Sequence, residues 1–171
     1  MKYVFNFAIS YSSDSSDTDM LSIALLLDRY GGVPEDSNDC LARAVLFNKS
    51  DAVLRLLVGR GACLEGRWKS TNNTVLFYAV TRNRMATVKM LLDMGADLNA
   101  KNRARQTPLL YGLMHRCNLE IIMTLVLAGA ELKDSGALHY ASSFHPDALA
   151  VMHKGIDTLH KTRRCMKALG I

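Results

Sequence analysis

Five histidines and four cysteines are the residues of this chain best suited to nucleophilic or metal chemistry. A Cys–His pair would supply a thiolate nucleophile, and a cluster of both would hold zinc. The spacings favour neither. His115 and Cys117 are two residues apart, where helical side chains diverge, so only a turn could bring them together. His153 and His160 are seven apart, wrong for sharing an ion on one helical turn. Cys40, Cys63, Cys117 and Cys165 are separated by 23, 54 and 48 residues, with no C-x-x-C pair. A disulfide framework or zinc domain needs denser spacing. The cysteines read as small reduced core residues of a cytosolic or nuclear protein. The chain also lacks G-x-S-x-G, P-loop, G-x-G-x-x-G and H-E-x-x-H patterns. No catalytic residue, cofactor or metal ligand is assigned, and an enzyme is the least favoured class. Two glycosylation-acceptor patterns, Asn48–Ser50 and Asn72–Thr74, carry no meaning in such a compartment.

With 171 residues, 49% of them apolar, the chain suits one globular domain. No apolar run reaches the ~18 residues of a membrane span. Charge is unevenly spread. Residues 1–40 hold seven acids and two bases, a balance of −5; residues 41–171 hold nine acids and nineteen bases, a balance of +10. Such asymmetry bears on association and solubility rather than on fold.

The elements that must position these residues recur. Gly-Ala appears at Gly61-Ala62, Gly95-Ala96 and Gly129-Ala130, 34 residues apart each time. Upstream of each lies an apolar box: "LARAV" from Leu41, "LFYAV" from Leu76 and "LLYGL" from Leu109. A fourth box, "LHYAS", begins at Leu138, and a fainter one, "FNFAI", at Phe5. Their fourth position is always small: Ala8, Ala44, Ala79, Gly112, Ala141. This repetition implies that two helices approach closely there. Val88, Leu91 and Leu92 follow the spacing of a helix burying one face. Glycine ends that second helix cheaply in a left-handed conformation, and Asn48 and Asn83 are expected to end the first in the same way. Each unit is thus helix, tight turn, helix, exposed loop. Leu76, Tyr78, Val88, Leu91 and Leu92 are expected to pack against Leu109, Tyr111, Ile122 and Leu125 of the next unit, since no unit buries enough apolar surface alone.

These residues resemble the ankyrin repeat. Thr107-Pro108-Leu109 matches its T-P-L start, and "MLLDMGADLNAKN" (Met90–Asn102) its L-L-x-x-G-A-D-V-N-A end. Elsewhere the pattern decays: T-P-L-H becomes "DCLA", "TVLF", "TPLL" and "GALH", and the inter-helix G-H is missing throughout. The resemblance implies an all-α ankyrin-repeat solenoid of stacked helix-turn-helix units with β-turn or hairpin finger loops. It also implies a buried, hydrogen-bonded role for His139.

One domain is expected over 1–171, with units near 1–37, 38–72, 73–105, 106–134 and 135–171. The Ser/Asp tract at 10–19 reads as a mobile loop within a first, capping unit, which accounts for the apolar start better than a secretory signal does. The loop after Gly129 should be stunted. A last helix is expected over "DTLHKTRRCMKALGI", with Leu159, Met166 and Leu169 inward and Lys161, Arg164 and Lys167 outward.

The loop after Gly61 carries Arg67, Trp68 and Lys69; the next carries Lys101, Arg103 and Arg105. Trp68 is the sole Trp, and either packs over the helices or binds. The resemblance places partners on the loop tips and the exposed side of the first helices, which here includes Phe47, Thr81, Arg82, Met114 and His115. The leading expectation is a non-catalytic protein-binding module, an adaptor or inhibitor, meeting an acidic partner surface on its concave face and basic finger loops. Nucleic-acid or anionic-surface binding is the alternative; it lacks an accompanying series of base-stacking aromatics. Self-association of the acidic head with the basic body is a further option.

Overall fold

Two left-handed corners in each of three central units shape the chain in the computed structural model, which describes residues 9, 17–33, 39–132 and 136–168. Among the described residues there are nine helices: α1 (Asp17–Tyr30), α2 (Cys40–Leu46), α3 (Asp51–Gly59), α4 (Val75–Thr81), α5 (Met85–Asp93), α6 (Pro108–Met114), α7 (Leu119–Leu127), α8 (Ala137–Phe144) and α9 (Pro146–Ala168). The first corner of three successive pairs is Asn48, Asn83 and Arg116, at φ 56°, 55° and 54°. The second is Gly61, Gly95 and Gly129, at φ 94°, 85° and 99°. Both corners close in one way. After the first, Lys49, Arg84 and Cys117 donate their N–H to the carbonyls of Ala44, Ala79 and Gly112, at 2.8, 3.0 and 3.0 Å. After the second, Ala62, Ala96 and Ala130 donate to Leu57, Leu91 and Leu125, at 2.9, 2.9 and 3.0 Å. Each bond reaches back five residues to a carbonyl of the helix's last turn.

The helices stack in two rows. The first helices α2, α4, α6 and α8 touch in succession, as do α1, α3, α5, α7 and α9, and each pair is also joined across the rows. The small residue of each box sits at this junction. Ala44, Ala79 and Ala141 are fully buried. A Cβ on Gly112 would come within 2.5 Å of Val80 Cγ1 and 2.9 Å of Cys117 Sγ. The core runs continuously from Ile23 and Leu27 to Ala148 and Met152. Of the side chains expected to pack between units, Leu76, Val88, Leu91, Leu109, Ile122 and Leu125 are buried. Tyr78, Leu92 and Tyr111 are half-buried. Phe77, a core residue the pattern did not single out, is fully buried with its ring edge-on to Tyr111 at 5.4 Å.

Polar bonds fix one unit on the next. Asp97 N–H donates to Glu65, Glu131 N–H to Asn99 Oδ1 (both 2.8 Å), and Asn118 N–H to Asn83 Oδ1 (2.6 Å). Arg84 donates to the Lys49 carbonyl and to Asp51, at 2.8 and 3.0 Å, and Thr87 also donates to Asp51.

The edges depart from expectation. The end of the Ser/Asp tract, residues 17–19, is helical and part of α1 rather than loop, while 10–16 lie outside the described residues. Of the "FNFAI" box only Ile9 is described; it is helical and buried. The last helix is longer than expected, 23 residues from Pro146. Pro146 suits a helix start, because its missing N–H would be unpaired there anyway. Leu159 is half-buried, and Lys161, Arg164 and Lys167 are exposed. Met166, expected inward, is 45% exposed, and Leu169 lies outside the described residues. The physical reason is length: α7, which supports α9, has only nine residues. His139, expected to be buried, is exposed. Among the described residues no unit follows α8 to cover it.

Candidate interaction surface

Each fingertip is a small hairpin rising before a first helix. In the first, Trp68 N–H donates to the Asn73 carbonyl at 2.9 Å and Asn72 N–H to the Trp68 carbonyl at 2.7 Å. In the second, Asn102 N–H donates to the Gln106 carbonyl at 3.1 Å, and Arg105 N–H to the Asn102 carbonyl at 3.0 Å. Asn72 and Arg105 occupy the same left-handed position, φ 61° and 59°. Buried Asn102 braces its loop by accepting at Oδ1 from Ala104 and Gln106 N–H, at 3.0 and 2.9 Å. The tips are therefore Lys69-Ser70-Thr71 and Arg103-Ala104-Arg105. They touch: Arg103 N–H donates to the Thr71 carbonyl at 3.0 Å.

The predicted site residues fall into three groups. Lys69, Arg103 and Arg105 lie exposed along the fingertip crest, and none pairs with a carboxylate among the described residues. Arg67 and Trp68 have internal work. The Arg67 guanidinium bridges the fingers, donating to the carbonyls of Asn72 (3.2 Å) and Lys101 (2.9 Å). The Trp68 ring is half-buried, edge-on to Tyr78 at 6.1 Å with the Arg43 guanidinium 5.1 Å over its face. Arg43 is in turn held by Asp39 at 2.9 Å. Tyr78 hydroxyl lies 3.2 Å from Thr71 Oγ1, and burial pushes its phenol pKa up.

The third group lines the far ends of the first helices. Phe47, Arg82 and His115 stand six residues after Leu41, Leu76 and Leu109, and all are exposed. His115 packs on the Tyr111 ring at 4.3 Å. Met114 is 43% exposed, its sulfur accepting from Gln106 Nε2 at 3.0 Å. Thr81 donates its hydroxyl to the Phe77 carbonyl of its own helix at 3.1 Å, so it is half-buried and satisfied internally. Sequence reasoning missed Phe144, 65% exposed, although it stands six residues after Leu138, in the register of Phe47. Phe144 borders a cavity of about 330 Å³ with Leu113, Arg116, Cys117, Ile122 and Asp147, at the end of the first helices away from the fingertips.

Two thiols, Cys40 and Cys117, are shielded, while Cys63 is exposed. Burial pushes Cys40 up to about 12 and Cys117 up to about 11. With Cys117 buried and His115 turned onto Tyr111, the two are not brought together as nucleophile and base. No group of three or more His, Cys, Asp or Glu able to hold a metal occurs among the described residues. None of their helices is long and apolar enough to cross a membrane.

Residues 76–126, which span the two most regular units, match the family described as "Ankyrin repeats (many copies)". These two units are ankyrin repeats. Similar proteins carry them in several settings. A transient receptor potential cation channel subfamily A member 1 homolog of Caenorhabditis elegans is 31% identical over 137 residues, 75% of this chain and 11% of the relative. A fowlpox virus protein named for ankyrin repeats is 33% identical over 86 residues, 50% of this chain and 25% of its own. The phosphocholine transferase AnkX of Legionella pneumophila is 27% identical over 150 residues, 83% of this chain and 15% of the transferase. The chain thus spans a quarter or less of each relative. Ankyrin repeats generally mediate protein–protein interaction, which is the general role of this fold.

Proposed function

We propose that this chain is a non-catalytic adaptor or inhibitor that binds a protein with an acidic surface through its first-helix row and basic fingertips. One observation carries the reading. Lys69, Arg103 and Arg105 are exposed, have no carboxylate partner among the described residues, and stand on loops braced by Asn102 and Arg67. A solvated charge on a fixed backbone loses little entropy on binding, and Arg is favoured at binding hot spots. Arg82, His115, Met114 and Phe47 extend the surface along the helices. The nucleic-acid reading is weaker because Trp68 is packed against Tyr78 and offers no open stacking platform. A reducing compartment, cytoplasm or nucleus, fits free Cys40, Cys63 and Cys117.

Capture from the native cell with wild type and an Arg82→Glu/Arg103→Glu/Arg105→Glu variant tests the reading. The variant should lose the captured proteins while keeping its circular dichroism spectrum. Equal recovery by both would refute it.

A further inference from the structure

The last two helices are joined unlike the others. Three or four residues separate α2 from α3, α4 from α5 and α6 from α7, whereas His145 alone separates α8 from α9. The inner corners also bind one another: Arg84 donates to the Lys49 carbonyl, and Asn118 N–H to Asn83. Among the described residues no hydrogen bond joins the third corner, at Arg116, to the α8–α9 link. The cavity of about 330 Å³ lies at this junction. Leu113, Ile122 and Phe144 give it apolar walls, and Arg116 and Asp147 stand exposed at its border. These two opposite charges share the cavity without forming an ion pair, and neither side chain has a partner among the described residues. The His145 ring, also at the border, lies 5.7 Å from that of Tyr140. Arg116 is the least suited of the three equivalent corner residues to its backbone, at φ 54° where the others are Asn48 and Asn83. Residues held in such conformations cluster at ligand sites.

We propose that this cavity binds a small zwitterion with an aromatic body, a free α-amino acid of the size of phenylalanine. Its carboxylate meets Arg116, its ammonium meets Asp147, and its ring lies among Leu113, Ile122 and Phe144. Size sets the first limit. An apolar cavity of about 150 Å³ holds benzene, so one of about 330 Å³ admits roughly a dozen non-hydrogen atoms. Charge sets the second. A ligand seated here removes water from both charged side chains, and one bearing a single charge leaves the other side chain unmatched. A zwitterion matches both. An apolar pocket with a few convergent polar groups is also the usual form of a small-molecule site. The site lies at the end of the first helices away from the fingertips, so it does not depend on the protein-binding reading above.

Isothermal titration calorimetry with the full chain tests this. L-Phenylalanine is compared with L-phenylalaninamide, which keeps only the ammonium, N-acetyl-L-phenylalanine, which keeps only the carboxylate, and glycine, which lacks the ring. L-Phenylalanine should bind about tenfold or more tightly than each of the others. Arg116→Asn installs the residue that the equivalent corners carry, so the fold is retained. It should weaken L-phenylalanine about tenfold and leave the amide unchanged, whereas Asp147→Asn should weaken it as much and leave the N-acetyl compound unchanged. Absence of L-phenylalanine binding, equal binding by glycine or a blocked derivative, or either variant binding L-phenylalanine as wild type does overturns the proposal. N-Acetyl-L-phenylalaninamide bound as tightly as the free amino acid would overturn it in favour of a partner's apolar side chain.

Discussion

Gly112→Ala sets two effects of opposite sign against each other. Gly112 lies within α6, where alanine is favoured over glycine by about 0.8–1.0 kcal/mol of helix propensity. Against this, the new methyl would stand 2.5 Å from Val80 Cγ1 and 2.9 Å from Cys117 Sγ. Both neighbours are buried, and Val80 is β-branched, so its methyl has no easy alternative rotamer. Overpacking of this kind costs about 1–3 kcal/mol. Contacts this short force a neighbour to move, which puts the cost in the upper half of that range, about 2–3 kcal/mol, and the net loss at about 1–2 kcal/mol. Ala79, fully buried at the same position of the previous unit, is the control. Ala79→Gly relieves no clash and should cost about 1.5–2 kcal/mol from propensity and lost burial. Urea unfolding followed by circular dichroism measures both, with the m-value checked for a change in cooperativity. A Gly112→Ala protein as stable as wild type would refute the reasoning, because it would show that the packing of α6 on α4 is loose.

Other perturbations follow from the same geometry. Leu91→Ala removes a fully buried side chain and should cost about 2–5 kcal/mol in denaturant melts; a loss below about 1 kcal/mol would show a wrong register. Asn83→Gly keeps the left-handed corner, whereas Asn83→Ala strains it by about 1–2 kcal/mol; both lose the acceptor of Asn118 N–H, so their difference in stability isolates the corner. Mass-spectrometric mapping of thiol labelling at mildly alkaline pH should find Cys63 modified rapidly and Cys40 and Cys117 only after unfolding. Because burial raises the folded pKa of Cys40 to about 12 and of Cys117 to about 11, their contribution is full below the ordinary thiol value. It falls as pH rises towards those folded values, since the unfolded thiols ionise first, and Cys40→Ala should flatten that fall.

The interior of the stack was legible because its constraints are local. Gly61, Gly95 and Gly129 recur at one interval, and a left-handed corner leaves few choices of residue. Asn48 and Asn83 could be read in the same way. Arg116 could not, since an arginine at φ 54° is held there by the bond from Cys117 to Gly112 and not by its own preference. His139 was misread because the family pattern supposes a neighbouring unit beyond it, and Met166 for another reason. Helical spacing marks a face that could be buried, but burial also needs a neighbour, and α7 is too short to cover the end of α9. At the candidate site, charge and spacing located the fingertips. The division between exposed Lys69, Arg103 and Arg105 and inward-working Arg67 and Trp68 depends on contacts 34 and 10 residues away, which no local pattern reports. Phe144 was within reach, through its register with Phe47.

Site-specific photocrosslinking in the native cell tests the account most directly. A photoreactive side chain at exposed Ala104, on the fingertip crest, is compared with one at exposed Ala86, on the second-helix row. We expect protein adducts from Ala104 and none from Ala86. Adducts from Ala86 alone, or adducts to nucleic acid from Ala104, would contradict it.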